Sequence, residues 1–315
     1  MNLDHRRRRA ELLERLRQFF RTRGFLEVET PLVLPEVIPE LHIEPIRTAD
    51  GLFLQASPEL AMKRLLAAGS GPIFQVTRSF RAGEYGPLHR PEFTIVEWYR
   101  PGDDMTAGIL LLEELLHALV PEAPRCARTS YRQAFMRVLG IDPHSANCEQ
   151  LAAAVAKCGV AVPEQMNPTG HNEWLNLLLA TRIEPQLGIS EPEFLYHYPA
   201  SQASLATTTN DEHGVKVAER FELYWKGVEL ANGFHELTDA AVLRERLTQV
   251  NAARVADGRP ALPLPESLFS AMETGLPASC GVALGLDRLL MLAVGVTTID
   301  DVLTLPGRGA DGPVS

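Results

Sequence analysis

The sequence predicts an α+β fold in which an antiparallel sheet is flanked by helices. Pairs of strand-like segments follow each other closely enough to form hairpins, and stretches with apolar residues at helical spacing separate those hairpins. The composition agrees with a packed fold, because 45% of the 315 residues are hydrophobic and 22% are charged. A chain of this length buries roughly three quarters of its unfolded surface, which is enough for one large core or two smaller ones.

The N-terminal part of the chain predicts a helix, a short strand and then a long-looped hairpin. Apolar residues recur at helical spacing up to Gly24, which ends the helix, and residues 25–30 follow as a short strand. Alternating side chains over 73–81 and 93–100 predict two antiparallel strands, joined by the loop 82–92. Further along we expect helices over 109–120, 131–139, 149–157, 173–183 and 242–256, a hairpin of 221–225 and 228–231, and a strand over 281–286 before a helix over 288–293.

Charge and composition exclude several functional classes. The net charge is −10, whereas a protein that grips nucleic acid mainly through its phosphates is normally basic. The four cysteines have no CxxC spacing, so we expect reduced thiols and no zinc site. No apolar run approaches the ~20 residues of a membrane span and no signal peptide is evident, so we expect a cytoplasmic protein. The phosphate-loop, GxGxxG and GxSxG patterns are all missing.

The four arginines of 6–9 are a separate feature at the start of the first helix. The helix dipole disfavours positive charge at that end. These arginines form either a solvated arm or a docking patch for an acidic partner.

The first hairpin carries residues that suit the floor of a binding pocket. A two-residue period places Phe93, Glu97 and Tyr99 on one face of its second strand, beside Arg81 from the first. The planar fork of an arginine can donate two hydrogen bonds to a phosphate, and a phenylalanine offers a flat face for stacking a base. In the structural alternative, Arg81 and Glu97 form a cross-strand ion pair and Phe93 belongs to the core.

Two later segments carry further candidate residues. Glu229 and Glu236 lie seven residues apart in an apolar segment, where two carboxylates need a cation, either Mg²⁺ or a substrate ammonium group. The alternative is a surface pair on a sheet edge. Gly281, Ala283 and Gly285 share a strand face almost free of side chains, so a flat ligand can approach the backbone there. The alternative is tight packing between sheet and helix.

Taken together, these segments resemble the catalytic domain of the class II aminoacyl-tRNA synthetases. Residues 24–31 look like the first motif of that class, the hairpin looks like the second, and residues 281–288 look like the third. The resemblance is to the lysyl-tRNA synthetase branch, and residues 91–99 and 229–239 carry it. Within that branch, the segments similar to the paralogues that lysylate translation elongation factor P are 62–66, 97–101 and 199–205.

The resemblance implies a domain organisation. It covers roughly residues 8–305, so residues 1–305 are predicted to form one catalytic domain and residues 306–315 a loose tail. Lysyl-tRNA synthetases carry an N-terminal domain that grips the anticodon; we expect none here, because the first helix begins within about ten residues of the N-terminus. The family has an antiparallel sheet of about six or seven strands. Its members dimerise through the first motif, so we expect a homodimer.

The resemblance also implies roles for individual residues. ATP would be bound by Arg81, Ala82, Gly83, Glu84, His89, Arg90, Phe93, Glu229, Leu230, Gly285 and Arg288, with Arg81 and Arg288 as the catalytic residues. Mg²⁺ would be held by Glu229 and Glu236. The amino acid would be bound by Ser57, Pro58, Glu59, Glu97, Tyr99, Glu236 and Ala283.

The implied reaction is ATP-dependent activation of (R)-β-lysine or lysine as an adenylate, followed by transfer to a lysine side chain of elongation factor P. Arg81 would neutralise charge that develops on the α-phosphate. One alternative is a minimal lysyl-tRNA synthetase that charges tRNA, which the acidic net charge opposes. Another is a catalytically silent binding or regulatory protein, which the retained arginines and glutamates oppose. We expect no membrane association and no stable tRNA binding.

Two positions depart from the family pattern. The second motif usually reads Arg-Asn-Glu, whereas this chain reads Arg81-Ala82-Gly83-Glu84, so the carboxylate that meets adenine has moved one place or been lost. Lysyl-tRNA synthetases have glycine where this chain has Ala283. One methyl group in a tight pocket is worth about 1–3 kcal/mol of discrimination. The methyl group is placed to disfavour an α-amine, which fits (R)-β-lysine, whose amine lies one carbon further along.

Overall fold

A nine-stranded mixed sheet lies at the centre of the protein, for which the computed structural model describes residues 3–305. The strands are β1 (Leu26–Glu27), β2 (Val33–Leu34), β3 (Phe53–Leu54), β4 (Ile73–Phe80), β5 (Glu92–Pro101), β6 (Ala127–Ser130), β7 (Glu193–Pro199), β8 (Thr208–Asn210), β9 (Lys216–Trp225), β10 (Val228–His235) and β11 (Ser279–Gly285). The order across the sheet is β1-β4-β5-β11-β10-β9-β7-β6, with β8 beside β9, while β2 and β3 pair separately. The two outermost pairs, β1 with β4 and β6 with β7, are parallel, and the other pairs are antiparallel.

Helices surround this sheet. They are α1 (Leu3–Thr22), α2 (Glu59–Ala67), α3 (Met105–Leu119), α4 (Tyr131–Leu139), α5 (Cys148–Lys157), α6 (His171–Leu178), α7 (Ala240–Ala256), α8 (Glu266–Gly275) and α9 (Leu286–Val294), with a π-helical turn at Leu179–Ile183 and 3-10 turns at Glu184–Gln186, Ala200–Gln202 and Ile299–Asp301. Two helices begin with a capping box, in which the N-cap residue and the third helical residue exchange hydrogen bonds between side chain and backbone. The N-cap residues are Ser130 for α4 and Asn147 for α5. Within residues 3–305, no helix is long and apolar enough to cross a membrane.

The predicted α+β class is confirmed, and both predicted hairpins are present. They are formed by β4 with β5 and by β9 with β10. The sheet is larger than the expected six or seven strands, and its edges are parallel. The sequence analysis missed β2, β3, β6, β7, β8, α2 and α8. Four of those strands have only two to four residues, which is too short to show a period. The predicted tail 306–315 lies outside the described residues.

The packing of helices leaves one part of the sheet accessible. Helices α1, α3 and α9 cover one face, where they form a core with Val96, Trp98, Val282 and Leu284 from β5 and β11. Helices α2, α7 and α8 pack over the other face at one end of β5, around Tyr99. The rest of that second face is open to a cavity.

The N-terminal arginines have different environments. Arg9 donates hydrogen bonds to Asp287 (2.6 Å) and to Thr94 Oγ1 (2.7 Å), and its side chain is only 11% exposed. Arg7 and Arg8 are mostly exposed and pair with acidic residues of their own helix. Arg9 is therefore part of neither a solvated arm nor a docking patch, since it ties α1 to the start of α9.

Candidate active site

The cavity has a volume of about 510 Å³ and lies over one face of β5, β11 and β10. Of the eighteen residues that the sequence predicts for the site, fifteen line this cavity. The three that do not are Pro58, Ala82 and Gly83, which are neighbours of lining residues. The first hairpin, the two later segments and residues 57–59 therefore meet in one place.

The floor of the cavity needs small residues on β11. A Cβ atom added at Gly281 would lie 2.2 Å from both Glu236 Oε1 and Tyr99 Cε1, so this position has no room for a side chain. Ala283 stands directly opposite Glu97 on the neighbouring strand. At Gly285 the nearest atoms to an added Cβ lie 3.7 Å away, so that position is not crowded. The close approach at Gly281 is a property of the site and not of helix packing.

A β-bulge brings Glu229 and Glu236 to the same cavity. Residues seven apart on a regular strand point to opposite faces of the sheet. Here Glu229 pairs with Tyr224 and Ala231 pairs with Leu223, so one extra residue is inserted in β10. Both glutamates consequently line the cavity. The surface-pair alternative does not apply to Glu236, which is buried.

One end of the cavity, which we call the acidic end, is formed by Glu59, Glu97 and Glu236. Glu97 is buried and accepts hydrogen bonds from Ser57 Oγ (2.7 Å) and Tyr99 OH (2.6 Å). Burial and the nearby Glu59 carboxylate raise its pKa to about 8, although the two hydrogen bonds act in the opposite direction. The protonated form of the Glu97 carboxyl is therefore more favoured here than it is for an exposed glutamate.

A lysine that the sequence analysis did not assign completes the acidic end. Lys63 Nζ lies 2.6 Å from Glu59 Oε1 and 2.6 Å from Glu236 Oε2, and its side chain is 2% exposed. Burial alone would lower the lysine pKa, but the carboxylates of Glu236 and Glu59 raise it above its ordinary value. Burial raises the pKa of Glu236 to about 7, which the charge of Lys63 limits. Lys63 is therefore a permanent buried cation.

The opposite part of the cavity, which we call the basic end, contains Arg81 and Arg288. The Arg81 guanidinium lies 5.0 Å from the centre of the Phe93 ring and 3.7 Å from Glu84. The alternative in which Arg81 pairs with Glu97 is wrong, because Arg81 is paired with Glu84. Phe93 is partly exposed and lines the cavity, so its ring is free on one side and is not part of the core.

Contacts from two parts of the chain, β10 and the loop between β4 and β5, orient Arg288. It donates hydrogen bonds to the backbone oxygens of Glu229 (2.8 Å) and Leu88 (3.2 Å), and Nη2 lies 2.6 Å from His89 Nε2. Burial and the Arg288 charge lower the pKa of His89, so the imidazole is neutral and accepts this hydrogen bond. Arg90 also lines the cavity, but its guanidinium is committed to Asp300 and to the Gly86 oxygen.

Glu229, the glutamate predicted for the ATP-binding part of the site, has a second acidic residue, Glu222, beside it. Enclosure in the cavity and the nearby Glu222 carboxylate raise the pKa of Glu229. Glu222 is buried and is bound by Arg220, Tyr198 and Tyr224. Within residues 3–305, no group of three or more His, Cys, Asp or Glu side chains is arranged so that it could hold a metal ion by itself.

Sequence reasoning missed four charged residues of this region: Glu40, Lys63, Arg220 and Glu222. Glu40 lines the cavity from the segment before β3, and burial, with Glu59 nearby, raises its pKa to about 6. The four-residue spacing of Glu59 and Lys63, in a segment that was not predicted to be helical, could have identified the ion pair. Arg220 and Glu222 are two residues apart on β9 and share one face of the strand. The sequence predicted this strand to begin only at residue 221, so the pair was not recognised.

Comparison with known proteins agrees with this geometry. Residues 4–308 match the family described as tRNA synthetases class II (D, K and N). The chain belongs to this class II tRNA synthetase family. Among its relatives, elongation factor P–(R)-β-lysine ligase of Edwardsiella ictaluri (strain 93-146) is 47% identical over 305 residues, which cover 94% of this chain and 93% of the relative. The protein with the same name from Proteus mirabilis (strain HI4320) is 46% identical over 311 residues, which cover 95% and 94%.

Proposed function

We propose that this protein is an ATP-dependent ligase that activates (R)-β-lysine, or less well lysine, and transfers it to a lysine side chain of elongation factor P. The observation that carries the proposal is that a single cavity has an acidic end and a basic end. The acidic end suits a substrate with two ammonium groups, and the basic end suits a triphosphate. The names of the two relatives support the choice of acceptor and of the β-lysine isomer.

In the first step, a carboxylate oxygen of the amino acid attacks the α-phosphorus of ATP, and the bond to the bridging oxygen breaks to release pyrophosphate. Arg81 stabilises the charge that develops on the α-phosphate, and Arg288 and His89 hold the outer phosphates. Phe93 stacks on one face of adenine, with Arg288 on the other. Glu59, Glu97, Tyr99 and Glu236 receive the two ammonium groups.

In the second step, the acceptor amine attacks the carbonyl carbon of the adenylate, and the carbon–oxygen bond to AMP breaks. The neutral amine loses one proton to water or to the departing phosphate as the amide forms, and the amide nitrogen keeps its other hydrogen. The chain needs no nucleophilic side chain for either step, because positioning of the reactants supplies most of the catalysis.

The carboxylates near the basic end would suit a Mg²⁺ ion that binds together with ATP. It is usually held by one or two carboxylates together with substrate phosphates, so the missing three-residue cluster is expected before ATP binds. Glu229 would be the first protein ligand of this ion. Glu236 was predicted as the second, but Lys63 already neutralises it; Glu222, which raises the pKa of Glu229, is the better candidate. The ion would neutralise phosphate charge.

The loop that follows β4 would supply contacts around adenine. Ala82 and Gly83 lie outside the cavity lining, and the Ala82 amide donates to the backbone oxygen of Glu44 (2.8 Å). Glu84 does line the cavity, which supports it as the carboxylate that meets the adenine amino group. Leu230 and Gly285 contribute backbone surface to the same end.

We also propose that the protein forms a homodimer through its first motif. Leu26, Leu32 and Val33 are large apolar side chains in or next to this motif, and each is at least 40% exposed. Apolar residues that are clustered and exposed favour a protein interface. Measurement of the mass in solution tests this assignment, and a monomer at micromolar concentration would contradict it.

The proposed function is tested by ATP–pyrophosphate exchange with (R)-β-lysine, lysine and the monoamine norleucine. Exchange with (R)-β-lysine above lysine, and none with norleucine, is expected. Incubation of the loaded enzyme with elongation factor P and with tRNA then identifies the acceptor. Label on tRNA alone would support a minimal lysyl-tRNA synthetase. The absence of exchange with every amino acid tested would indicate a catalytically silent relative.

A further inference from the structure

The acidic end contains its own cation. Lys63 lies between Glu59 and Glu236 at 2.6 Å from each, and all three side chains are at most 14% exposed. A buried lysine between two carboxylates that face a ligand cavity is more than a fold-stabilising pair, because it changes the charge that a ligand meets.

The charges of the acidic end can be counted from the structure. Glu59, Glu97 and Glu236 contribute three carboxylates, and Lys63 contributes one ammonium group. When these groups are ionised, two negative charges remain. A ligand with two ammonium groups neutralises the acidic end, whereas a ligand with one leaves a buried charge without compensation, which is costly.

The groups that face Lys63 come from several elements. Glu59 lies on the same helix, one turn away, and Glu236 follows β10. Behind these carboxylates stand Glu97 and Tyr99 of β5, His235 of β10 and Cys280 of β11. Glu40 also approaches Glu59, but Arg220 and Arg81 offset its charge. Helix α8 packs against α2 through the apolar side chains of Leu268, Phe269 and Met272.

We infer that Lys63 is a positioning residue that selects diamino acids: it fixes the Glu59 and Glu236 carboxylates and sets the charge of the acidic end to match two ammonium groups. The inference rests on the proposed function, because it assumes that the amino acid binds at this end. Lys63 acts through the two glutamates and takes no part in the chemical steps.

The test measures ATP–pyrophosphate exchange for wild type, Lys63→Met, Glu59→Gln and the double variant that carries both changes. Arg64→Met is the matched control, because Arg64 is an exposed neighbour on the same helix. Kinetic constants are determined separately for the diamino acid and for ATP. Thermal melting of each variant reports on the fold.

Lys63→Met is expected to raise the KM for the diamino acid at least about tenfold, because one buried carboxylate is then uncompensated, while the KM for ATP stays within about twofold. Arg64→Met is expected to match wild type. The double variant restores two negative charges, so its KM is expected to lie below that of Lys63→Met and below that of Glu59→Gln. The comparison with Glu59→Gln holds even if Lys63→Met alone does not fold.

Three different results would overturn the inference. If the double variant binds the diamino acid more weakly than Glu59→Gln, Lys63 has only a structural role. If wild type shows no exchange with any diamino acid, the proposed function fails together with the inference. If wild type is active but the KM values of Lys63→Met equal those of Arg64→Met, the role of Lys63 is refuted and the proposed function still stands.

Discussion

The substitution Gly281→Ala tests how closely the amino acid approaches β11. The added Cβ would lie 2.2 Å from Glu236 Oε1 and from Tyr99 Cε1, whereas ordinary contacts begin near 3.4 Å. Both groups, or the strand itself, must therefore shift by about 1 Å. A misplacement of about 1 Å in a reacting complex costs on the order of 100-fold in rate, and overpacking costs about 1–3 kcal/mol of stability.

The assay compares Gly281→Ala with Gly108→Ala, which crowds the same strand from the opposite face. A Cβ at Gly108 would lie 2.2 Å from Cys280 Sγ, so both variants introduce a similar overlap. We expect both to lower the melting temperature, and only Gly281→Ala to lower kcat/KM for the amino acid, by about 100-fold. Equal amino-acid kinetics in the two variants would refute the assignment of this floor to substrate binding.

Three further predictions concern selectivity, phosphate binding and pH. Ala283→Gly is expected to improve exchange with lysine relative to (R)-β-lysine by roughly tenfold, and an unchanged isomer ratio would contradict the methyl argument. Arg288→Ala is expected to abolish exchange without unfolding the protein; surviving exchange would refute the third-motif assignment. Because the pKa values of Glu97 and Glu236 are raised to about 8 and about 7, their ionised forms, which bind ammonium groups, appear only as pH rises. Calorimetry should therefore show tighter lysine binding at pH 8 than at pH 6, and the reverse order would show that these carboxyls do not receive the amines.

The longest elements of the fold could be predicted because their patterns are long. The strands β4 and β5 alternate over eight and ten residues, and α1 repeats its apolar residues at helical spacing from Leu12 to Phe20. The edge strand β1 has two residues, and its parallel pairing with β4 depends on contacts that no local pattern records. Tertiary context decides such short elements.

The candidate site, like the fold, could be predicted only in part from the sequence. Arg81, Phe93, Glu97 and Arg288 could be assigned because each lies in a segment with a recognisable motif. The bulge that turns Glu229 into the cavity is invisible in the spacing of seven residues, which on a regular strand predicts opposite faces. A list of motif residues therefore identifies the ligand-facing groups better than the buried partners that position them.

We propose that this protein joins a diamino acid to elongation factor P. The decisive measurement is the intact mass of elongation factor P after incubation with the protein, ATP and each lysine isomer. We predict a gain of one lysyl group that requires ATP, is larger with (R)-β-lysine than with lysine, and is lost when the acceptor lysine is changed to arginine. An unchanged mass of elongation factor P, from an enzyme that still forms the adenylate, would contradict the account.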